Sequence, residues 1–316
     1  MAAAGGRPSL ARAKFLFDLN GFVRIPGVLS AAEVRSANAG VDAHDFVERK
    51  EAMRNSKHGT AFSGDESTGR FDMAGMLGWD APHHEPFRQM LCHPNLVPFL
   101  HAVVGEGYRL DHSPLVIAQN KGSEGFSLHG GPITPSGRFI PQLQYRFAHG
   151  EMYNTLVAVS FQLVDTNPGD GGFCVVRGSH KLNLPPTAEM MAGEDADFLE
   201  TSVDQPTAKA GDVIIFSEAT IHGCLPWTAE HQRRVALFRF APAHLGFARG
   251  YSDPAWPPSF TDGMTPEQRA VMEPPYHPMY DRPYLRDEDG KLGEENRGRS
   301  DAKKAFDVEV FGHRYY

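Results

Sequence analysis

The spacing of hydrophobic residues changes twice along this chain, and each change predicts a different kind of element. "FDLNGFVRIPGVLSAAEV" reads as a short strand, a Pro-Gly turn and a helix start. Ser30 and Glu33 form a capping box, in which each side chain satisfies the other's free backbone amide, and Val34, Ala37 and Val41 then mark one helix face. A second helix is predicted in "NLVPFLHAVVG", where Leu96, Phe99, Leu100 and Val103 share a face and Gly105 supplies the stop. From about residue 109 the helical period disappears. "NTLVAVSFQLV", "GGFCVVRG", "GDVIIFSE" and "RRVALFRFAP" are short runs of β-branched and aromatic residues separated by Gly, Pro and Asp. The spacers leave little room for crossover helices, so antiparallel strands closing into a barrel or jelly roll are expected.

Beyond about residue 243 the chain turns Pro- and aromatic-rich, in "YSDPAWPPSF" and "EPPYHPMYDRPYL", with "TPEQ" at 265–268 as another capped helix start. This tail is too apolar for a disordered linker. The pattern therefore predicts a single, mainly β domain with flanking helices. Residues 1–108 would give helical support and a possible lid loop in "GDESTGRFDMAGMLGW", 109–243 the β core, and 244–316 an extension packed on it. The lid and the aromatic tail are expected either to line a substrate pocket or simply to pack around the barrel.

Composition narrows the function more by exclusion. The chain has 316 residues and a formal charge of −8, from 31 basic and 39 acidic side chains without a basic block, so nucleic acid and anionic membrane are poor partners. Cys92, Cys174 and Cys224 show no CxxC spacing and cannot all pair, which fits a reducing compartment. No apolar run approaches membrane-spanning length, and the N-terminus lacks the apolar stretch of a secretory signal. It is free of acids until Asp18, as transit peptides are, but the cytoplasm is the default expectation.

Three residues then stand out as candidate chemistry. His129 ends a predicted strand at "LHGG", His222 closes "GDVIIFSEATIHG", and Arg233 opens the next strand. Ninety-three residues separate the histidines, which excludes a helix-borne HExxH zinc motif but not a meeting on paired strands. Two neutral imidazoles suit a divalent first-row metal, and a fixed arginine suits a carboxylate bound through two oxygens. Each residue alone has an ordinary alternative: a turn histidine, or a surface arginine. Among the other histidines, His83, His84 and His149 read as loop residues, His112 as a hydrogen-bonded core residue and His180 as the fastener of its turn. Cys224 reads as a small buried hydrophobe rather than a ligand.

Taken together, "FDLNGFVRIPGVLSAAEV", "LHGG", "NTLVAVSFQLVDTNPGDGGFCVVRGSHK" and "GDVIIFSEATIHGCLPWTAEHQRRVALFRFAP" resemble the phytanoyl-CoA dioxygenase family of Fe(II)/2-oxoglutarate-dependent oxygenases over roughly residues 15–245. The resemblance implies a double-stranded β-helix of the jelly-roll, cupin-like kind. It implies His129 and His222 as iron ligands, Arg233 as the anchor of 2-oxoglutarate with Arg234 as fallback, and Asn154 and Gln119 as weaker cosubstrate contacts. A small-molecule substrate would be oxidised at an unactivated C–H bond. In "RGSH" Arg177 stands where the family has proline.

The larger departure is Gly131. The family's His-x-Asp completes a two-histidine, one-carboxylate ligand set, and here the acid is absent. A vacant position carrying uncompensated charge would suit chloride, and glycine or alanine at this place resembles the iron-dependent aliphatic halogenases, which implies chlorination. Three alternatives stay open. Water could fill the position and leave a hydroxylase. Asp72, Glu124 or Glu151 could swing in. Metal binding could be too weak to matter, leaving a non-catalytic binding module. If Gly131 faces the iron, Gly131→Asp restores the triad.

Overall fold

The computed structural model describes residues 6–49, 56, 58–247, 256–276, 283–285, 291–293 and 300–313. In chain order the elements that matter for the site are α1 (Leu10–Asn20), β1 (Phe22–Ile25), α2 (Ala31–Asp42), β2 (Val47–Glu48), β3 (Arg70–Ala74), α3 (Glu85–Met90), α4 (Val97–Val103), β4 (Arg109–Leu110), β5 (Leu115–Gln119), β6 (Phe126–His129), β7 (Tyr145–Ala148), β8 (Glu151–Asn154), β9 (Val157–Gln162), β10 (Gly172–Val176), α5 (Ala188–Ala192), α6 (Ala196–Ser202), β11 (Val203–Asp204), β12 (Val213–Ser217), β13 (His222–Leu225) and β14 (Arg233–Ala241). A large sheet runs β1-β12-β9-β14-β5-β3-β2, with β4 also paired to β14, and a small sheet runs β11-β10-β13-β6. Their strand pairs are antiparallel. The expected double-stranded β-helix is therefore present.

Each sheet face has a distinct partner. Ile117, Ile214, Phe216 and Val235 of the large sheet meet Phe173 and Val175 of the small one, and the Phe173 and Phe216 rings lie 4.7 Å apart. The opposite face of the large sheet, carrying Val159, Ile215 and Phe238, packs on Phe17, Val34, Val41 and Leu100 of the helices. Burial on both faces explains why β9 and β12 read as mostly apolar runs and do not alternate.

The capping box on α2 forms as expected: the Ser30 hydroxyl accepts from the Glu33 amide at 3.3 Å, and the Glu33 carboxylate accepts from the Ser30 amide at 2.7 Å. The "TPEQ" box also forms, opening a helix at Pro266–Val271. Three features differ from the sequence expectation. "LARAKFLFDLN" is a helix, capped by Ser9 and stopped by Gly21, that buries Ala13 and Phe17. The first 108 residues are more than helical support, since β1, β2 and β3 all join the large sheet. The middle of the supposed lid loop is strand β3, from which Arg70 reaches the central cavity. Met264, Val271 and Met272 of the C-terminal extension sit in the helix-side core. The middle of "EPPYHPMYDRPYL", residues 277–282, and the beginning of "YSDPAWPPSF", residues 251–255, lie outside the described residues.

The two-faced strands carry the largest share of the packing. Phe161 on β9 is fully buried and meets Phe238 of β14 edge-on at 5.4 Å. Phe161→Ala is expected to cost about 3–5 kcal/mol, read as a lowered urea midpoint with unchanged slope.

Candidate metal centre

Antiparallel pairing of β13 with β6 places His222 directly opposite His129. Directly opposed residues project from the same face of a sheet, and the two imidazole centroids are 4.2 Å apart. The register shifts between His222 and Cys224, an irregularity of the kind that re-aims side chains beside functional sites. Each ring is oriented by a backbone carbonyl: Nδ1 of His129 lies 3.0 Å from the Ser127 oxygen, and Nδ1 of His222 lies 2.7 Å from the Thr220 oxygen. A carbonyl can only accept, so both Nδ1 atoms carry the proton and both Nε2 lone pairs are free. Burial, reinforced by the neighbouring His222, pushes the His129 pKa down to about 3; burial likewise lowers that of His222. Both rings are held neutral, the form that binds metal.

The histidines line a cavity of about 230 Å³ that also receives Arg49, Arg70, Arg233 and Arg239. Arg233 is buried, and a guanidinium nitrogen donates to Oε1 of Gln119 at 2.7 Å. Gln119 is itself fixed by donating to the Glu124 carbonyl at 2.7 Å, so it steadies the arginine. Nε of Arg233 has no hydrogen-bond partner, and among the described residues no carboxylate pairs with this cation. Room for the guanidinium comes from Gly172, where a Cβ would lie 2.7 Å from Nε. Arg234 points the other way, to Asp42 at 2.6 Å on α2. Asn154 is not brought to the cavity; its amide donates to the Val103 carbonyl at the end of α4. Cys224 lines the cavity with its sulfur 3.9 Å from Arg233.

The two glycines after His129 have separate steric reasons. Gly130 (φ +82°) lies against the turn that precedes β13: a Cβ there would come within 2.6 Å of the Thr220 oxygen and 2.7 Å of the Glu218 oxygen. Gly131 has φ +85°, and a Cβ on it would meet the Ile221 side chain at 3.0 Å. Ile221 packs with Phe62, Leu128 and Cys174, a cluster separate from the one between the sheets. An acid at 131 would thus be strained and aimed at Ile221, which corrects the expectation that Gly131→Asp rebuilds a triad by itself.

None of the three alternative carboxylates stands beside the imidazoles. Asp72 is held by Arg49 and Arg70, Glu124 accepts from Ser56 at 2.8 Å, and Glu151 is exposed on β8. The carboxylate that does is Glu218, which the sequence reading passed over. It is buried, with Oε2 3.6 Å from Nε2 of His222 and Oε1 accepting from Arg239 at 2.5 Å. Burial alone would raise its pKa, but the paired Arg239 guanidinium outweighs it and the value falls to about 2, so the group is ionised. The available signal was an acid directly after the buried strand "GDVIIFS", four residues ahead of the histidine. Among the described residues no three His, Cys, Asp or Glu side chains already surround a common point.

The remaining positions are structural. His180 is buried, with Nε2 3.0 Å from the Asp18 carbonyl, and fastens its turn to α1. His112 pairs with Asp111 at 3.0 Å, and Arg177 forms an exposed pair with Asp204. Among the described residues no helix is long and apolar enough to cross a membrane.

Comparison with known structures gives the same architecture. HygX from Streptomyces hygroscopicus, crystallised with nickel and 2-oxoglutarate, superposes with a TM-score of 0.59 at 23% identity, covering 74% of this chain and 88% of HygX. AviO1 from Streptomyces viridochromogenes Tue57 gives 0.53 at 20% identity, over 76% and 98% of the two chains. The non-heme, α-ketoglutarate-dependent epimerase SnoN of nogalamycin biosynthesis gives 0.53 at 20%, over 75% and 84%. At these identities the likeness is one of fold. No curated protein matches the sequence. The family description Phytanoyl-CoA dioxygenase (PhyH), however, matches residues 17–235, which span both sheets, both histidines and Arg233, and the chain belongs to that family.

Proposed function

We propose that the protein is an Fe(II)/2-oxoglutarate-dependent oxygenase that oxidises an unactivated C–H bond of a small molecule. The observation that carries this is the pairing, in one cavity, of two neutral imidazoles with free Nε2 atoms and a buried guanidinium without an acid partner. A buried cation without a counter-charge is costly, and the distal carboxylate of 2-oxoglutarate would supply that charge. His129 and His222 would hold the iron, and Arg233, steadied by Gln119, would hold the cosubstrate. Iron with 2-oxoglutarate supplies the oxygen activation. HygX has also been crystallised with nickel, 2-oxoglutarate and hygromycin B, which supports a small-molecule substrate.

The chain's own contribution is position and electrostatics. Ser127 and Thr220 fix the ring tautomers, so neither imidazole has to lose a proton before binding a cation. Phe173, Phe216 and Ile117 wall the cavity with apolar surface that limits water around the reacting carbon. Chlorination, which Gly131 raises, needs a place and an uncompensated charge for chloride. The ionised Glu218 already brings negative charge beside His222, which favours oxygenation. The reading as a non-catalytic module gives no reason for an oriented imidazole pair beside an unpaired Arg233.

Anaerobic Fe(II) with 2-oxoglutarate is expected to give a visible metal-to-ligand charge-transfer band, and its absence together with failure to retain iron would return the protein to the binding-module class. Added chloride should leave the band unshifted and the product free of chlorine; a chloride-dependent shift would establish the halogenase reading instead. Arg233→Met should weaken 2-oxoglutarate by roughly 2–5 kcal/mol, at least about thirtyfold in Kd, measured by titrating the same band. Gly172→Ala, by crowding Nε of Arg233, should raise the Kd for 2-oxoglutarate without changing metal affinity in its absence.

A further inference from the structure

We infer that Glu218 is the third protein ligand of the metal, replacing the acid absent at Gly131 from a different strand. The inference rests on the reading of His129 and His222 as ligands. Nδ1 of His222 is committed to the Thr220 carbonyl, so Nε2 presents a lone pair, and the atom facing it at 3.6 Å is the carboxylate oxygen Oε2. Two acceptors facing one another repel unless a cation lies between them. A first-row ion bonded to each at about 2.0–2.2 Å spans such a gap.

The remaining contacts of Glu218 are those of a ligand held from behind. Oε1 is taken by Arg239 at 2.5 Å, leaving Oε2 the one directed at the histidine. Carboxylate ligands are ordinarily hydrogen-bonded through such outer partners, which set their orientation. The backbone is placed by a fixed turn: the Glu218 amide donates to Leu156 at 3.1 Å, and the Thr220 amide to Ser217 at 2.8 Å. Gly130 lets the His129 loop settle directly on that turn, since any side chain at 130 would collide with the Glu218 and Thr220 carbonyls. The glycines of "HGG" and the glutamate are thus two halves of one arrangement. The acid lies in the turn before His222, and the loop after His129 rests directly against that turn. The ligand set becomes two histidines and one carboxylate, with Glu218 and His222 as an E-x-x-x-H pair.

Anaerobic titration of Co(II) into the full chain, followed by calorimetry and by the visible d–d spectrum, tests this. The unmutated protein should bind Co(II), and His222→Ala should not. Glu218→Gln, close in shape but without charge, should bind about a thousandfold more weakly or worse, beyond the roughly 10–100-fold loss of a mere outer partner, and with an altered spectrum; a loss inside that range with an unaltered spectrum would make Glu218 an outer partner and overturn the assignment. Unchanged affinity and spectrum in Glu218→Gln, alongside loss in His222→Ala, would overturn the assignment and leave the histidine site standing. Failure of the unmutated protein to bind Co(II) would overturn both. Should Glu218→Gln fold poorly, a crystal of the unmutated protein with Co(II) and 2-oxoglutarate decides. Oε2 at bonding distance from the anomalous peak supports the assignment, and Oε2 beyond about 3 Å, still with Arg239, ends it.

Discussion

The register of β6 against β13 is the constraint on which the site depends. Side chains alternate along a strand, so a slip of one residue would turn His129 to the other face and leave His222 alone. The register is held from both sides of the small sheet. Phe126 and His129 pair with Cys224 and His222 along the strands, while the cluster of Phe62, Leu128, Cys174 and Ile221 packs separately from the core between the sheets. Gly125 and Gly223 allow close contact here, because a Cβ at either would collide with the backbone of the partner strand.

Much of this was legible from the residues. The strands β9, β12 and β14 announce themselves as apolar runs because both of their faces are buried, and the capped helices because their end groups must be satisfied locally. His129, His222 and Arg233, singled out by a histidine-glycine at each of two strand ends, an arginine opening the next strand and the family resemblance, do line one cavity. Arg233 and Arg234, adjacent in sequence, could not be separated by alternation alone; the side of β14 that faces α2 takes Arg234 to Asp42. What stayed hidden depends on long-range pairing. β1 pairs with β12 nearly two hundred residues away and β3 with β5, so no local pattern reveals that they complete the large sheet. Helix α1 was hidden because its apolar residues are spread around the helix, with Leu10, Phe15 and Leu19 exposed and Ala13 and Phe17 buried, and its basic ones resemble a processing segment. Glu218 was hidden for a simpler reason: an acid after a strand ordinarily points to solvent, and this one turns inward to Arg239.

The charges in the cavity form an ordered set. Arg49 and Arg70 share Asp72, Arg239 holds Glu218, and among the described residues no carboxylate pairs with Arg233, which donates to Gln119 and lies beside Cys224. Cation therefore exceeds anion in a cavity partly enclosed by protein, and electrostatic attraction is stronger there than in water. Such a cavity draws an anion to Arg233 in particular, because the other guanidinium groups already have carboxylate partners.

The left-handed conformations of Gly130 and Gly131 carry a consequence for how freely this loop can be redesigned. Both residues sit at φ above +80°, where a side chain is strained, and a Cβ at either would press on the turn before β13 or on Ile221. A side chain grafted at either position therefore needs a new backbone path for the loop as well as a new residue.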